Sequence, residues 1–251
     1  MPSRPPVTAC VIVIGNEILS GRTQDANVAF LARALNEQGI RLLEVRIIPD
    51  VPDTIVDTVN AVRERFDYVF TTGGIGPTHD DITAECVARA FGVELVLDEE
   101  ARSRLDAAYR SRGQALNAAR LRMAHVPRGA TLIDNPLSAA PGFQIGNVFV
   151  LAGVPSVAQA MFGALRDRLE GGEVVHSRSV SCRLAEGQIA APLGEIQASF
   201  PNVEIGSYPA WTDQRPQVAI VLRGTDESTL ARATEEVAAM VRSLGGDPVE
   251  S

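Results

Sequence analysis

The segment TTGGIGPTHDDIT occupies residues 71–83 and lies between a strand-like pattern and a helix-like pattern. The strand-like run before it is Asp67–Thr72 (DYVFTT), and helical spacing of apolar residues extends from about Asp81 to Phe91. A buried strand that enters a glycine-rich loop and then a helix is typical of βαβ units, in which the strands are parallel. The segment therefore predicts a parallel α/β sheet with a loop at its carboxyl edge.

The flanking sequence repeats this alternation. Strands are predicted at Val7–Ile14, Arg41–Ile48 and Val148–Leu151, and helices at Val28–Gln38, at Thr54–Phe66 and from about Pro155. Together they predict an α/β domain with a mostly parallel sheet over residues 1–170. The polar, Arg-rich segment Asp98–Arg128 has helical composition and is interpreted as an insertion or a lid helix.

A second, smaller module is predicted over residues 171–251, after the pair Gly171–Gly172. Its predicted elements are a strand at His176–Leu184, a helix at Glu186–Ser199, strands at Val203–Ser207 and Gln217–Arg223, and a helix at Glu227–Leu244. This order describes a small α+β module of the βαββα type.

The composition excludes several classes of protein. The 251 residues carry a formal net charge of −8, which argues against non-specific nucleic-acid binding, and all 23 basic residues are arginine. No apolar run is long enough to span a membrane, and no signal-peptide pattern is visible, so we expect a cytoplasmic protein that binds neither membrane nor nucleic acid. Cys10, Cys86 and Cys182 are too far apart for a zinc motif, and Cys10 and Cys86, which lie in apolar patterns, are predicted to be buried thiols.

The glycines of the central segment, Gly73, Gly74 and Gly76, suit a site for a phosphate or pyrophosphate group. Glycine lets backbone N–H groups approach an anion, and the following helix N-terminus adds the positive end of its dipole. Pro77 and Thr78 complete the loop. A tight structural turn is the alternative, and a Walker A motif is excluded because the chain has no lysine.

Two carboxylates follow this loop and change its predicted chemistry. Asp80 and Asp81 would repel a phosphate unless a divalent metal such as Mg²⁺, Mn²⁺ or Co²⁺ bridged them to it. Asp25 is a candidate third ligand. The alternative is that the acids only cap the helix, since Asp is favoured in a first turn. His79 could bind the metal, transfer a proton or do neither.

Other loops that follow predicted strands should reach the same edge of the sheet. Asp50 follows the second strand, where it is a candidate catalytic residue or a plain turn acid, and Arg22 offers a cation for a phosphate. Asn27 offers a polar contact or an N-cap. Further candidate ligand-binding residues in these loops are Gly15, Asn16, Glu17, Ser138, Pro141, Gly142, Gly153 and Pro155.

These blocks together resemble a known family. The TTGG-x-GP…D-x-T core is similar to the MoaB/Mog (molybdopterin-binding-like) domain, and the blocks GNEILSGRTQDAN and THDD resemble the N-terminal part of the CinA proteins. The resemblance implies a three-layer α/β/α domain that handles a phosphate-bearing ligand. Members bind molybdopterin, and relatives in the CinA branch and in FAD synthase hydrolyse ADP-ribose or FAD with a divalent metal.

Residue by residue, the resemblance places the two functional aspartates of the MogA type at Asp50 and Asp81. Asp80 stands where that type has arginine, which disfavours adenylyl transfer and fits the CinA pattern. The resemblance also implies a homo-oligomer, a dimer or a trimer. CinA proteins often continue into an amidohydrolase domain, and residues 171–251 show no sign of one.

Two functional hypotheses follow. The first is a metal-dependent enzyme that hydrolyses a nucleotide pyrophosphate such as ADP-ribose or FAD, with Asp50, Asp80 and Asp81 as catalytic residues. The second is a molybdopterin-binding protein of cofactor assembly without hydrolase activity. A regulatory subunit with an inactive site is a third possibility. Phe143, Tyr208 and Trp211 are candidate stacking partners for a ligand ring, or core residues.

Overall fold

A computed structural model describes residues 5–212 and 215–251, and the side chains of residues 210–216 lie outside that description. The chain divides into two compact units, which are named here the N-terminal unit, Met1–Gly172, and the C-terminal unit, Glu173–Ser251. Both units combine helices and strands. None of the described helices has the length and apolar character needed to cross a membrane.

The N-terminal unit alternates strands and helices along most of its length. Its strands are β1 (Val7–Ile14), β2 (Ile40–Ile48), β3 (Tyr68–Thr72), β4 (Leu95–Leu97), β5 (His125–Pro127), β6 (Thr131–Ile133), β7 (Gly142–Ile145) and β8 (Val148–Leu151). Its helices are α1 (Asn16–Leu19), α2 (Asn27–Glu37), α3 (Pro52–Arg63), α4 (Thr83–Phe91), α5 (Glu99–Ser111), α6 (Ala118–Leu121) and α7 (Pro155–Leu165). The predicted strands and helices around the glycine-rich segment are confirmed, with ends shifted by a few residues.

The central sheet has the strand order β2-β1-β3-β8-β7-β6. The first four strands are mutually parallel, whereas β7 and β6 run antiparallel. The sheet is therefore mostly parallel, as the sequence predicts. Residues of β1 point alternately to two apolar clusters, one on each face of the sheet. Helices α3 and α4 contribute to one cluster, α2 and α7 to the other, which gives the three-layer arrangement.

Strands β6 and β7 were not predicted from the sequence. Gly142, which the sequence analysis places in a loop, belongs to β7 together with Phe143. A two-residue turn with Gly146 at a φ of 54° joins β7 to β8. Gly142 fits only as glycine, since an added Cβ would lie 2.4 Å from the carbonyl oxygen of Val150 in β8.

The segment interpreted as an insertion is only partly helical. Helix α5 ends at Ser111, the short α6 follows, and the last residues form β5, which pairs antiparallel with β4. Asp98 caps α5 by accepting a 2.8 Å hydrogen bond from the backbone amide of Ala101. A small apolar cluster centred on Leu105 holds this part of the chain together.

The C-terminal unit has its own apolar core. It consists of β9 (His176–Cys182), α8 (Glu186–Ser199), β10 (Glu204–Thr212), β11 (Arg215–Gly224), α9 (Glu227–Ser243) and β12 (Val249–Glu250). The strands form an antiparallel sheet in the order β10-β11-β9-β12. The predicted βαββα order is confirmed, and β12 is an additional short edge strand.

The three cysteines are free and buried. Burial raises the pKa of the Cys10 and Cys86 thiols to about 11, so both remain protonated at neutral pH. The prediction that they serve as small apolar residues is confirmed.

Candidate functional site

Loops from four strands meet at the carboxyl edge of the parallel part of the sheet. The backbone amide of Gly15, after β1, donates to the carbonyl of Ile48 at the end of β2, at 3.1 Å. A Cβ on Gly73, after β3, would lie 2.2 Å from the carbonyl oxygen of Ile14. A Cβ on Gly153, after β8, would lie 3.3 Å from the Cα of Gly73. The predicted convergence of these loops is therefore present.

The first two glycines of the glycine-rich loop are held by hydrogen bonds from Thr83, the first residue of α4. Its buried hydroxyl donates to the carbonyl of Gly73 at 2.9 Å, and its backbone amide donates to the carbonyl of Gly74 at 3.0 Å. Gly73 and Gly74 have φ values of 104° and 67°, a region that favours glycine. Within the described ranges, the backbone amides of Gly74, Ile75 and Gly76 find no protein acceptor. These consecutive N–H groups can receive an anion.

Asp81 lies inside the turn that this loop makes. Its carboxylate accepts from the backbone amide of Thr78 at 2.8 Å and from the Thr78 hydroxyl. A Cβ on Gly76 would lie 2.6 Å from the same carboxylate. Asp80 is exposed, and nearby donors lower the pKa of its carboxyl, namely the Thr78 hydroxyl, whose hydrogen bond goes to Asp81, and its own backbone amide. The Asp80 carboxyl therefore carries negative charge at neutral pH.

Of the other predicted acids, Asp50 and Asp25 accept hydrogen bonds from backbone amides. The Asp50 carboxylate accepts from the backbone amide of Asn16 at 2.8 Å, which ties the loop after β2 to the loop after β1. The Asp25 carboxylate accepts from the backbone amide of Val28 at 2.8 Å and so satisfies the start of α2. A Cβ on Gly15 would touch the Glu17 carboxylate at 2.6 Å.

Asn27 is not the N-cap that one reading of the sequence offered. It is the first residue of α2, it is buried, and its amide group donates to the carbonyl of Gly153 at 2.8 Å. Its side-chain oxygen, together with the hydroxyls of Thr71 and Thr72 at the end of β3, is buried without a partner among the described residues. Buried polar atoms without partners are rare in proteins and are often satisfied by a ligand or by water.

The loop before β7 is held by hydrogen bonds to the Asn135 side chain. The Asn135 amide group donates to the Ser138 hydroxyl and to the carbonyl of Ala140, and its oxygen accepts from the backbone amides of Leu137 and Ser138. Ala139 takes a φ of 65°, which is uncommon for a residue with a Cβ. Ser138 thus has a structural partner.

Among the remaining predicted positions, Pro155 and Gly153 have local structural roles, whereas Pro77 is exposed. Pro155 starts α7, where a missing N–H costs nothing, and Gly153 is needed for the close approach to Gly73. Pro77 is exposed in the glycine-rich loop.

A cavity of about 260 Å³ opens beside the glycine-rich loop. From the predicted site it includes Gly74, Gly76, Asp81, Pro141 and Phe143. The residues that sequence reasoning missed are Ile75, Ala84, Glu85, Leu95, Arg122, Met123, His125 and Val126. Of the other candidate ring partners, Tyr208 is exposed in the C-terminal unit, and the Trp211 side chain lies outside the described residues.

The described part of the chain holds no group of three or more His, Cys, Asp or Glu side chains arranged for a metal ion. Asp25, Asp80 and Asp81, which the sequence predicts to share one metal site, therefore do not form a preformed cluster. The donors that are present fit a different arrangement. Mg²⁺ in phosphate-handling proteins is commonly held by one or two carboxylates together with phosphate oxygens of the ligand. Asp81, with Asp80 beside it, can supply those carboxylate ligands.

Comparison with known proteins agrees with this architecture. Residues 10–171 match the family described as the probable molybdopterin binding domain, and residues 174–245 match the family described as the middle domain of FAD synthase. The C-terminal unit thus matches the latter domain and not an amidohydrolase domain.

Individual relatives cover both units. A protein of Archaeoglobus fulgidus is 34% identical over 226 residues, which cover 90% of this chain and 94% of that protein. A probable FAD synthase of Caenorhabditis elegans is 33% identical over 83% of this chain, which spans only 44% of that longer protein. The crystal structure of CinA from Thermoplasma acidophilum, described as of unknown function, superposes with a TM-score of 0.60 at 36% identity and covers 65% of this chain and 98% of that one. The chain therefore belongs to the MoaB/Mog family of probable molybdopterin binding domains.

Proposed function

We propose that the N-terminal unit binds a nucleotide that contains a pyrophosphate, of the ADP-ribose or FAD class, and hydrolyses its P–O–P bond with a divalent cation. The observation that carries the proposal is the row of backbone amides at Gly74, Ile75 and Gly76, which point to no protein acceptor among the described residues and lie next to the Asp81 carboxylate. An anion receptor beside an acid is the arrangement that phosphoryl chemistry with a metal requires.

Each residue of the site has its own role in binding or hydrolysis of the nucleotide. The amides of the glycine-rich loop receive phosphate oxygens, and Thr83 holds that loop in its left-handed conformation. Asp81, held by Thr78, presents its carboxylate at the cavity wall. A divalent cation bound there would acidify a water molecule and offset negative charge at phosphorus. The water oxygen forms a new bond to phosphorus, the bridging P–O bond breaks, and the two products are monophosphates.

Of the two candidate substrates, the comparisons favour FAD. The C-terminal unit is similar to the middle domain of FAD synthase, and a probable FAD synthase is among the relatives. FAD and ADP-ribose share an adenosine group attached to a pyrophosphate, so both would give AMP as a product.

The test is an incubation with ADP-ribose and, separately, with FAD, each with Mg²⁺, Mn²⁺ or Co²⁺ or with EDTA, with AMP followed by chromatography. We expect AMP only with metal, and a loss of about 100-fold or more in Asp81→Asn. Asp57→Asn is the matched control, because Asp57 is an exposed aspartate of α3 outside the cavity. Absence of AMP with every metal and both substrates would end the hydrolase proposal.

Molybdopterin binding without turnover is the second candidate, and the description of the matching family favours it. The same loop amides would then receive the terminal phosphate of the pterin. Tight, stoichiometric binding of molybdopterin, together with no hydrolysis of either nucleotide, would select this function. For either function we expect a homo-oligomer, a dimer or a trimer, which light scattering coupled to size-exclusion chromatography would measure.

A further inference from the structure

A second part of the cavity wall comes from the chain between α6 and β5. Arg122 begins a single 3₁₀ turn, Arg122–Ala124, and its guanidinium donates to the backbone carbonyl of Asp81 at 3.3 Å. This contact places a positive charge beside the Asp81 end of the glycine-rich loop, although 41 residues separate the two in sequence. Arg122 is thereby held at the cavity that Gly74 and Gly76 also line.

Arg122 has no carboxylate partner within the described residues. Nearby arginines differ in this respect: Arg104 pairs with Glu100 and Asp134, and Arg128 pairs with Glu94. An unpaired guanidinium at a cavity wall can form a two-pronged contact with phosphate oxygens. In a chain without lysine and with a net charge of −8, such a cation offsets the carboxylates at the same wall.

The rest of the cavity has the chemistry of a site for a planar ring. Its apolar lining comes from Ile75, Leu95, Met123, Val126 and Phe143. Pockets of this kind combine apolar walls with a few polar groups that orient the ligand.

His125 is one of those polar groups, and its hydrogen bond fixes its tautomer. The Nδ1 atom lies 3.2 Å from the carbonyl oxygen of Leu121. A carbonyl oxygen can only accept, so Nδ1 carries the proton, and Nε2 of the neutral ring is left as an acceptor. Glu85 also lines the cavity, where its carboxylate would be a second acceptor. Two acceptors suit a ring edge that carries amino hydrogens, as adenine and pterins do.

We infer that this cavity binds the heteroaromatic ring of the ligand against Met123 and Val126, while Arg122 binds the phosphate group that follows it. The inference rests on the proposed phosphate-bearing ligand, and it assigns the second wall of the site to residues 122–126. Arg122 is then a binding residue for phosphate and Met123 a contact for the ring.

The test is binding by titration calorimetry in EDTA, with inorganic pyrophosphate, AMP and adenosine as probes. Wild-type protein should bind AMP more tightly than adenosine, because only AMP carries the phosphate that Arg122 would bind. Arg122→Gln should weaken AMP and pyrophosphate by about 10- to 100-fold and leave adenosine unchanged, because only the charged contact is lost. Met123→Ala should weaken AMP and adenosine by about 3- to 10-fold and leave pyrophosphate unchanged.

Two controls separate binding from folding. Arg122→Lys keeps the charge and should recover part of the pyrophosphate affinity, whereas Arg102→Gln removes an arginine of α5 that pairs with Glu99 and should change nothing. Equal weakening of all three probes by Arg122→Gln, or no weakening of any, would overturn the inference, as would a wild-type protein that binds none of them. If binding depends on Arg122 but no nucleotide is hydrolysed, only the hydrolase proposal fails. If a nucleotide is hydrolysed but binding does not depend on Arg122, only this inference fails.

Discussion

The hydroxyl of Thr83 donates to the carbonyl oxygen of Gly73 at 2.9 Å, and both groups are buried at the junction between β3 and α4. This bond joins the end of the strand to the start of the helix across the glycine-rich loop. A Cβ on Gly74 would lie 2.2 Å from the same hydroxyl oxygen, so the loop and the hydroxyl fit closely. The conformation that exposes the loop amides therefore depends on one side chain outside the glycine run.

Thr83→Val keeps the shape of the side chain and removes this bond. We expect the free energy of unfolding to fall by about 1–3 kcal/mol, because the buried carbonyl of Gly73 loses its donor. Urea denaturation followed by circular dichroism measures the change. Thr234→Val is the control, since the buried Thr234 hydroxyl donates to the carbonyl of Leu230 inside α9, where the helix supplies another donor. Equal losses in the two variants would contradict the special role of Thr83.

Gly76→Ala tests how closely the loop fits the acid. The added Cβ would lie 2.6 Å from the Asp81 carboxylate, so the carboxylate or the loop must move. We expect AMP release and AMP binding to fall by about tenfold or more, because small displacements of reacting groups are costly. Steady-state kinetics and calorimetry measure both.

Gly163→Ala is the matched control for that variant. Gly163 lies within α7, and a Cβ there meets nothing within 4 Å. Alanine should stabilise the helix by about 0.5–1 kcal/mol and leave binding unchanged. A Gly76→Ala protein with wild-type binding and turnover would show that the carboxylate can shift freely.

The parallel part of the fold was predictable because its signals are local. Val7–Ile14 is a continuous apolar run, and the glycines after Thr72 end a second one, so strand, loop and helix follow from neighbouring residues. The meeting of Asp50 with the loop after β1 follows from parallel strands alone. The hairpin of β7 and β8 also had a local signal, Gly146–Asn147 between two apolar runs, which the sequence analysis missed.

The cavity wall could not be predicted in the same way. Arg122 and His125 lie in a polar, Arg-rich stretch whose composition is that of a surface helix. Their place at the cavity depends on the pairing of β5 with β4, two strands of only three residues each. Asn27 shows the same limit, because its residue type suits an N-cap and its actual partner, Gly153, is 126 residues away.

The pH dependence of stability should reveal the cap of α9. Asp226 accepts from the backbone amide of Thr229 at 2.9 Å and from the hydroxyls of Thr229 and Ser228, and the Thr229 contacts most strongly lower the pKa of its carboxyl, from 3.8 to about 2. Because the folded-state pKa is lowered, the charged cap stabilises the fold above the ordinary pKa, and the gain is lost as pH falls towards about 2.

Asp226→Asn keeps a capping oxygen and cannot titrate. We expect wild type to be more stable than the variant at neutral pH, and the difference to shrink from about pH 4 downwards. Urea denaturation at about pH 7, 5, 4 and 3 gives the comparison. A difference that stays constant over this range would show that the cap acts without its charge.

Variants of Asp50 test whether this residue positions the loop after β1 or takes part in the reaction through its charge. Its carboxylate holds the backbone amide of Asn16 at 2.8 Å, and asparagine can offer an oxygen to that amide while it lacks the charge. We expect Asp50→Ala to lower the free energy of unfolding by about 0.5–1.5 kcal/mol and to slow AMP release, because the loop after β1 loses its tie to β2. Asp50→Asn should stay close to wild type in both. Denaturation and turnover assays of the two variants decide the question: if Asp50→Asn is stable and as slow as Asp50→Ala, the negative charge itself takes part in the reaction, and Asp50 acts on the water or the cation instead of on Asn16.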